Sequence, residues 1–143
     1  MDYLKVLVEE IHSVVVATVD ETGHPHTTVM DMMWEDGKTV YFLTADFKPL
    51  YKRLKEDGRV AVTGMTQGAG TLDRKSISLT GQVKRIGKEH LEALLKANPF
   101  MYEIYPREEG RSHLHVFRFK NAVGNFYDLT QLPPYQARFE IEG

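Results

Sequence analysis

The sequence predicts a mainly β domain, an antiparallel β-barrel or strongly curved sheet with helices at its periphery. Short β-branched and aromatic runs of strand length recur along the chain, separated by turn residues such as Asp20-Glu21-Thr22-Gly23 and Glu35-Asp36-Gly37-Lys38. Helical periodicity is confined to the beginning and to the connections. No alternation of strand and long helix is present, which disfavours a doubly wound parallel sheet.

Taken in order, Leu4, Leu7, Val8 and Ile11 fall at helical spacing between charged residues and predict an amphipathic helix lying on the domain surface. Val14–Val19 is too short and too β-branched for a helix, and with the strand His26–Met33 it predicts a hairpin. The Asp36-Gly37 turn leads to a buried strand, Val40–Leu43, so the first three strands are expected to pair consecutively. Thr44–Phe47 reads as a turn and Lys48–Glu56 as a helix, with Pro49 in a first turn that tolerates it. Gly58 suits the helix stop, and Arg59–Met65 is the fourth strand. In Ser76–Ile86, Ile77, Leu79, Gly81 and Val83 alternate with polar residues, which makes one face core. Lys88–Asn98 is a further helix ending at Asn98-Pro99, and Phe100–Pro106 leads into a charged loop. Leu114–Lys120 and Val123–Leu129 read as two strands about Asn121-Ala122, followed by a proline-containing tail.

With 143 residues, of which 42% are hydrophobic and 27% charged, the chain can bury one core, so residues 1–143 are expected to form a single domain. Its core spans about residues 10–130, with 131–143 as the carboxy-terminal tail. A net charge of −2 leaves no basic surplus for a polyanion, and no nucleic-acid-binding motif is present. The absence of cysteine excludes disulfides, thiolate metal sites and a cysteine nucleophile, so redox chemistry would require a bound cofactor. Charges run through the amino terminus and no apolar run approaches bilayer length, so a cytoplasmic protein without membrane contact is expected.

The stretch Thr39–Leu54, where an apolar strand meets a polar turn and a basic helix, is the candidate site. The hydroxyl of Thr44, the ammonium of Lys48 and the free N–H groups of a helix start can converge on a phosphate. Alternatively, Thr44 and Asp46 cap the helix and Lys48 is solvated. Thr66–Asp73 is glycine-rich, but no Gly-Lys-Ser/Thr follows, so a nucleotide loop is not supported. His113 and His115 stand two apart on a strand and share a face, with no carboxylate near them in sequence. His24-Pro25-His26 reads as turn chemistry, and no Gly-x-Ser-x-Gly elbow marks a hydrolase. Met30, Met32, Met33 and Trp34 form an apolar strip suited to core packing or to a flat aromatic ligand.

Five segments together carry a resemblance: Val16–Pro25, Asp36–Thr44, Lys48 with Leu54, Val60–Gly64, and Ser78–Gly81. In order and spacing they resemble the pyridoxamine 5′-phosphate oxidase-like family of FMN-binding split barrels, over most of residues 10–130. The resemblance implies a six-stranded antiparallel split β-barrel and a homodimer with FMN in clefts at the subunit interface. It implies that Thr44 and Lys48 hold the flavin phosphate, with backbone contact at Ala45, and that His26, Thr27, Thr28, Val29 and Met30 run along the isoalloxazine ring. It further suggests Phe100, Tyr102 and Tyr105 as a wall supplied across the interface.

The chain departs from the true oxidases in reading Thr27-Thr28-Val29-Met30-Asp31-Met32-Met33 where they carry an arginine and a lysine on the flavin. It reduces their Arg-Lys phosphate pair to Lys48 and lacks their carboxy-terminal substrate signature. The resulting expectation is an FMN-dependent oxidoreductase acting through flavin N5 on a small flat acceptor, with a small-molecule electron donor and no required acid or base side chain. The alternatives are a flavin or haem carrier or sensor without turnover, and a deazaflavin-dependent reductase, whose longer cofactor tail would want more cations.

Overall fold

The computed structural model describes residues 1–143, in which eight strands form one curled antiparallel sheet. The strands are β1 (Ser13–Val19), β2 (Pro25–Asp31), β3 (Trp34–Glu35), β4 (Val40–Ala45), β5 (Arg59–Met65), β6 (Lys75–Gly87), β7 (Leu114–Asp128) and β8 (Tyr135–Glu142). The helices are α1 (Tyr3–Lys5), which continues as a π-helix over Val6–Ile11, then α2 (Pro49–Glu56), α3 (Leu91–Ala97), α4 (Met101–Ile104) and α5 (Glu108–Arg111). The sheet path runs β2-β1-β5-β6-β7-β4-β3, with β8 on β7. This is the mainly β split-barrel architecture with peripheral helices that the sequence predicts, with eight strands in place of six.

The β1–β2 hairpin forms as expected, but β4 does not join it. Instead β4 pairs with β7, Tyr41 opposite Arg118 through Ala45 opposite Leu114. The reason is burial. All six residues of β4 are buried, Val40 and Phe42 in one core, and Tyr41, Leu43 and Ala45 in a second core beneath α3 and α4. A strand covered on both faces belongs inside the sheet and reads as a continuous apolar run. For the same reason Thr44 and Ala45 extend the strand rather than opening the turn, and α2 begins at Pro49 rather than Lys48.

Two further expectations are corrected at the carboxy terminus. Residues 114–128 form one unbroken strand, because Asn121 and Ala122 keep register with Gln82 and Gly81 on one side and with Glu142 and Ile141 on the other. The tail is strand β8, whose Ile141 is buried in the larger core. Thus β4 and β8 lie end to end along the same side of β7. Shorter differences follow tertiary packing. β2 ends at Asp31, the helix expected over Lys88–Asn98 is α3 alone, and the segment after Phe100 contains α4 and α5. The amino-terminal helix is wound into the larger core through Val6, Leu7 and Ile11, not laid on the surface.

Tyr41 makes one polar contact at the edge of the smaller core. Its hydroxyl donates to Asp36 Oδ2 at 2.7 Å, while Asp36 Oδ1 accepts the N–H groups of Lys38 and Thr39 and shapes the turn before β4. Burial first, then the Asp36 carboxylate, pushes the Tyr41 phenol up to about 12. Since an unfolded tyrosine ionises near about 10, the stabilisation is whole below that pH and is lost as pH rises from there through the folded value. Tyr41→Phe is expected to cost about 1.5–3 kcal/mol at neutral pH, the range for a hydrogen bond to a charged group. It should also flatten the alkaline decline in urea-melt stability; an unchanged alkaline profile in the variant would refute the assignment.

Candidate functional site

Between the two ends of the sheet path lies a cleft of about 550 Å³. Four consecutive residues of β2, Thr28–Asp31, line it, and so do three of β4, Leu43–Ala45. Neighbouring residues of a strand point to opposite faces, so consecutive residues can line one cavity only where the strand presents its edge. The outer side of β2 has no strand partner, and β3 covers β4 only at Tyr41 and Val40. The cleft is therefore framed by backbone N–H and C=O groups that no ladder takes. Met33, Leu50, Met101, Ile104, Tyr105 and Leu114 supply an apolar lining, while Lys48, Pro49 and Arg53 close one end.

That end is cationic. Neither Lys48 nor Arg53 forms an ion pair with any carboxylate of the chain, whereas Lys52 on the same helix pairs with Glu21 at 3.3 Å. Arg53 is held by donating from Nε to the buried hydroxyl of Thr18 at 2.7 Å, which leaves its terminal nitrogens for the cleft. The start of α2 itself offers fewer donors than the sequence suggests. Pro49 has no N–H, that of Lys48 goes to the Ala45 carbonyl at 3.2 Å, and that of Tyr51 to the Lys48 carbonyl at 3.0 Å. An anion here would be bound chiefly by side-chain charge and the Thr44 hydroxyl.

Asp46 does not cap α2, which has no side-chain cap. Its carboxylate bridges the two histidines singled out in the sequence, meeting His113 Nδ1 at 2.8 Å and His115 Nε2 at 3.2 Å, and its N–H donates to the His113 carbonyl at 2.9 Å. The hydrogen bond from His113, and after it that from His115, holds the Asp46 carboxyl below the usual carboxylate range. The effect is to tie the turn that carries Lys48 to β7. No three histidine, aspartate or glutamate side chains are grouped so as to hold a metal.

Of the residues expected along the flavin, Thr28, Val29, Met30, Thr44, Ala45 and Lys48 are brought together around this cleft. His26 and Thr27 are not. His26 reaches back to Asp20 Oδ2 at 2.8 Å and borders a neighbouring polar groove of about 380 Å³, while Thr27 stands on the exposed outer face of the sheet. Among the aromatic residues, Tyr105 lines the cleft; Phe100 packs on the smaller core, and Tyr102 lies exposed under Arg111, 5.0 Å from its ring. Met32 is fully buried in the larger core, whereas Met30 and Met33 are both buried and at the cleft. Two charged lining residues were not singled out as ligands from the sequence. Arg53 stands at helical spacing from Pro49 and was legible as the second cation; Asp31 gave no local signal.

The sequence model of the family described as pyridoxamine 5′-phosphate oxidase matches residues 2–127. The chain belongs to the pyridoxamine 5′-phosphate oxidase family. No curated protein matches this family member in sequence. Among solved structures, it is similar to a NimC/NimA family protein from Clostridium acetobutylicum, at 18% identity and a TM-score of 0.75, covering 97% of this chain and 93% of that one. A pyridoxamine 5′-phosphate oxidase-related, FMN-binding protein from Nostoc punctiforme aligns at 10% identity and a TM-score of 0.60, over 92% and 87% of the two chains. A heme-binding protein from Mycobacterium smegmatis aligns at 15% identity and a TM-score of 0.71, this chain covering 56% of its length and being covered to 95%. At these identities the likenesses show the oxidase-family fold. No helix of this family member is long and apolar enough to cross a membrane.

Proposed function

We propose that the protein is a cytoplasmic FMN-binding oxidoreductase that works as a homodimer and reduces a small, flat, weakly polar acceptor. The observation that carries this reading is the cleft's polarity: two cations without carboxylate partners at one end, then open strand edges and a methionine-rich lining. A ligand that is phosphorylated at one end and flat, with hydrogen-bonding edges, at the other answers all three features. Lys48, Arg53 and Thr44 would hold the phosphate, while the backbone of Thr28–Asp31 would meet the ring edge. Leu43, Met33 and Tyr105 would exclude water from its faces. Bound FMN supplies hydride chemistry at N5.

Two features favour FMN over the other cofactors. No histidine lines the cleft to ligate a haem iron. Beyond Arg53 the adjoining groove carries four carboxylates, Asp20, Glu21, Glu56 and Asp57, against the one further cation Lys52, a poor path for the long anionic tail of a deazaflavin.

Support for the dimer comes from the outer face of the sheet. Two rows cross it in register, Val29-Val15-Thr63-Ser78-Asn125 and Thr27-Ala17-Ala61-Thr80-Val123, with no charge until Arg138 and Glu140 on β8. A broad uncharged sheet face of small residues suits a second copy of the chain. Thr63→Lys, at its centre, should give a folded monomer by light scattering; a dimer of unchanged affinity would place the contact elsewhere.

The test of the cofactor is the visible spectrum of the purified protein, followed by fluorescence titration with FMN. A flavin spectrum or saturable quenching at one FMN per chain is expected. A colourless protein that fails to bind FMN, or one that carries a haem Soret band, would overturn the proposal.

A further inference from the structure

His12 stands at the junction of the π-helix and β1 with φ 63° and ψ −66°, a backbone conformation that non-glycine residues rarely adopt. It is held there from both sides, since its N–H donates to the Leu7 carbonyl at 2.8 Å and its carbonyl accepts from Met32 N–H at 2.7 Å. Strained residues and π-helical turns concentrate at functional positions. Here the strain places the imidazole beside Asp31, the one carboxylate lining the cleft.

The contacts of this pair define where a proton can be held between them. His12 Nδ1 lies 3.1 Å from the Val8 carbonyl, which can only accept, so Nδ1 carries a hydrogen. In a neutral imidazole Nε2 would then present a lone pair to Asp31 Oδ2, 3.4 Å away. Two lone pairs facing each other repel, and a proton held between Nε2 and Oδ2 would turn the contact into an attraction. Asp31 Oδ1 is engaged by the Ser13 hydroxyl at 2.7 Å, which leaves Oδ2 as the oxygen that exchanges this proton. Both side chains are about one-third exposed or less, His12 at 32% and Asp31 at 28%, so water can restore it.

We propose that Asp31 and His12 form the acid of the cleft, Asp31 giving a proton to the bound acceptor and His12 acting as the positioning residue that reloads it. This rests on the flavin-reductase reading. With a quinone as acceptor, a bound reduced flavin would supply both electrons and one hydrogen as hydride. As the second quinone oxygen gains its hydrogen, the His12 Nε2–H bond breaks and its proton passes by way of Asp31 Oδ2, so that Asp31 ends as the carboxylate it began as and Nε2 regains its proton from water. The quinone would leave as a hydroquinone, its two electrons balanced by oxidation of the flavin. Of the other ionisable groups nearby, Lys48, Arg53 and Tyr105 line the cleft, and Glu10 of the π-helix pairs with Lys75 at 3.5 Å.

The proton can be observed without any cofactor. Nitrogen-15 NMR of the imidazoles should show hydrogen on both His12 ring nitrogens at neutral pH in the wild type. In Asp31→Asn, whose amide can donate to Nε2, only Nδ1 should carry hydrogen. A wild-type His12 with a bare Nε2 at neutral pH would overturn the proposal whether or not FMN binds. With FMN loaded and reduced anaerobically, Asp31→Asn and His12→Gln should slow reoxidation by a benzoquinone at least tenfold relative to reoxidation by ferricyanide, which takes electrons without a proton. An unchanged ratio of the two rates in both variants would likewise overturn it. Failure to bind FMN, with the NMR result intact, would refute the reductase reading and leave the proton-holding pair standing.

Discussion

Gly81→Ala is expected to cost about 3 kcal/mol or more of folding stability, at the upper end of what overpacking does. Gly81 on β6 faces Ala122 on β7, and a Cβ there would stand 2.1 Å from the Asn121 carbonyl oxygen and 2.6 Å from the Ala122 Cα. Both are backbone atoms in the middle of the longest ladder of the sheet, beside a register shift at Gln82/Val83, and neither can rotate away. Gly124→Ala is the internal comparison. Its Cβ would meet the ring of Phe139 at 2.3 Å, but a side chain on the terminal strand can swing aside, so the loss should be about 1–2 kcal/mol. Urea denaturation of both variants tests the order; a Gly81 variant as stable as the Gly124 variant would show that β7 gives way more readily than its pairing implies.

Removing both cations of the cleft is expected to have the largest effect on binding. Lys48→Ala alone should weaken FMN binding by about 1.5–3 kcal/mol, the range for a hydrogen bond to a charged group. With Arg53→Ala added, the loss should reach roughly 4 kcal/mol, about a thousandfold, less than a simple sum because the two act on one phosphate. Riboflavin, which lacks the phosphate, should lose less than about threefold, since no charged hydrogen bond to it is removed. Isothermal titration with both ligands separates the possibilities. Equal losses would mean that the two residues act through folding, for instance through the Arg53 bond to Thr18, rather than on a phosphate.

Much of this was legible along the chain. The sequence marks both ends of Arg59–Met65, and those of β1 and β6 to within a residue, because each has one buried and one exposed face and the period of two sets its limits. Lys48 could be singled out because the strand, turn and helix that position it are contiguous. What failed was non-local. The partner of β4 lies some seventy residues later, and Asn121-Ala122 resembles a turn unless β6 and β8 are known to flank it. The pair of His113 and His115 lacked a visible carboxylate because Asp46 reaches them across a sheet pairing. His12 and Asp31 meet through a backbone conformation that no propensity announces.

The open edges framing the cleft bear on how the protein behaves without a ligand. A bare strand edge is a template on which another extended chain can hydrogen-bond, and proteins ordinarily protect such edges with charge, proline or a covering segment. From Thr27 to Met30, β2 has none of these, and no strand pairs with its outer side. Whatever fills the cleft therefore also shields this edge from intermolecular pairing. Solubility becomes a property of the loaded protein: cofactor-stripped preparations should cloud on concentration or warming, and adding the ligand before concentration should keep them clear.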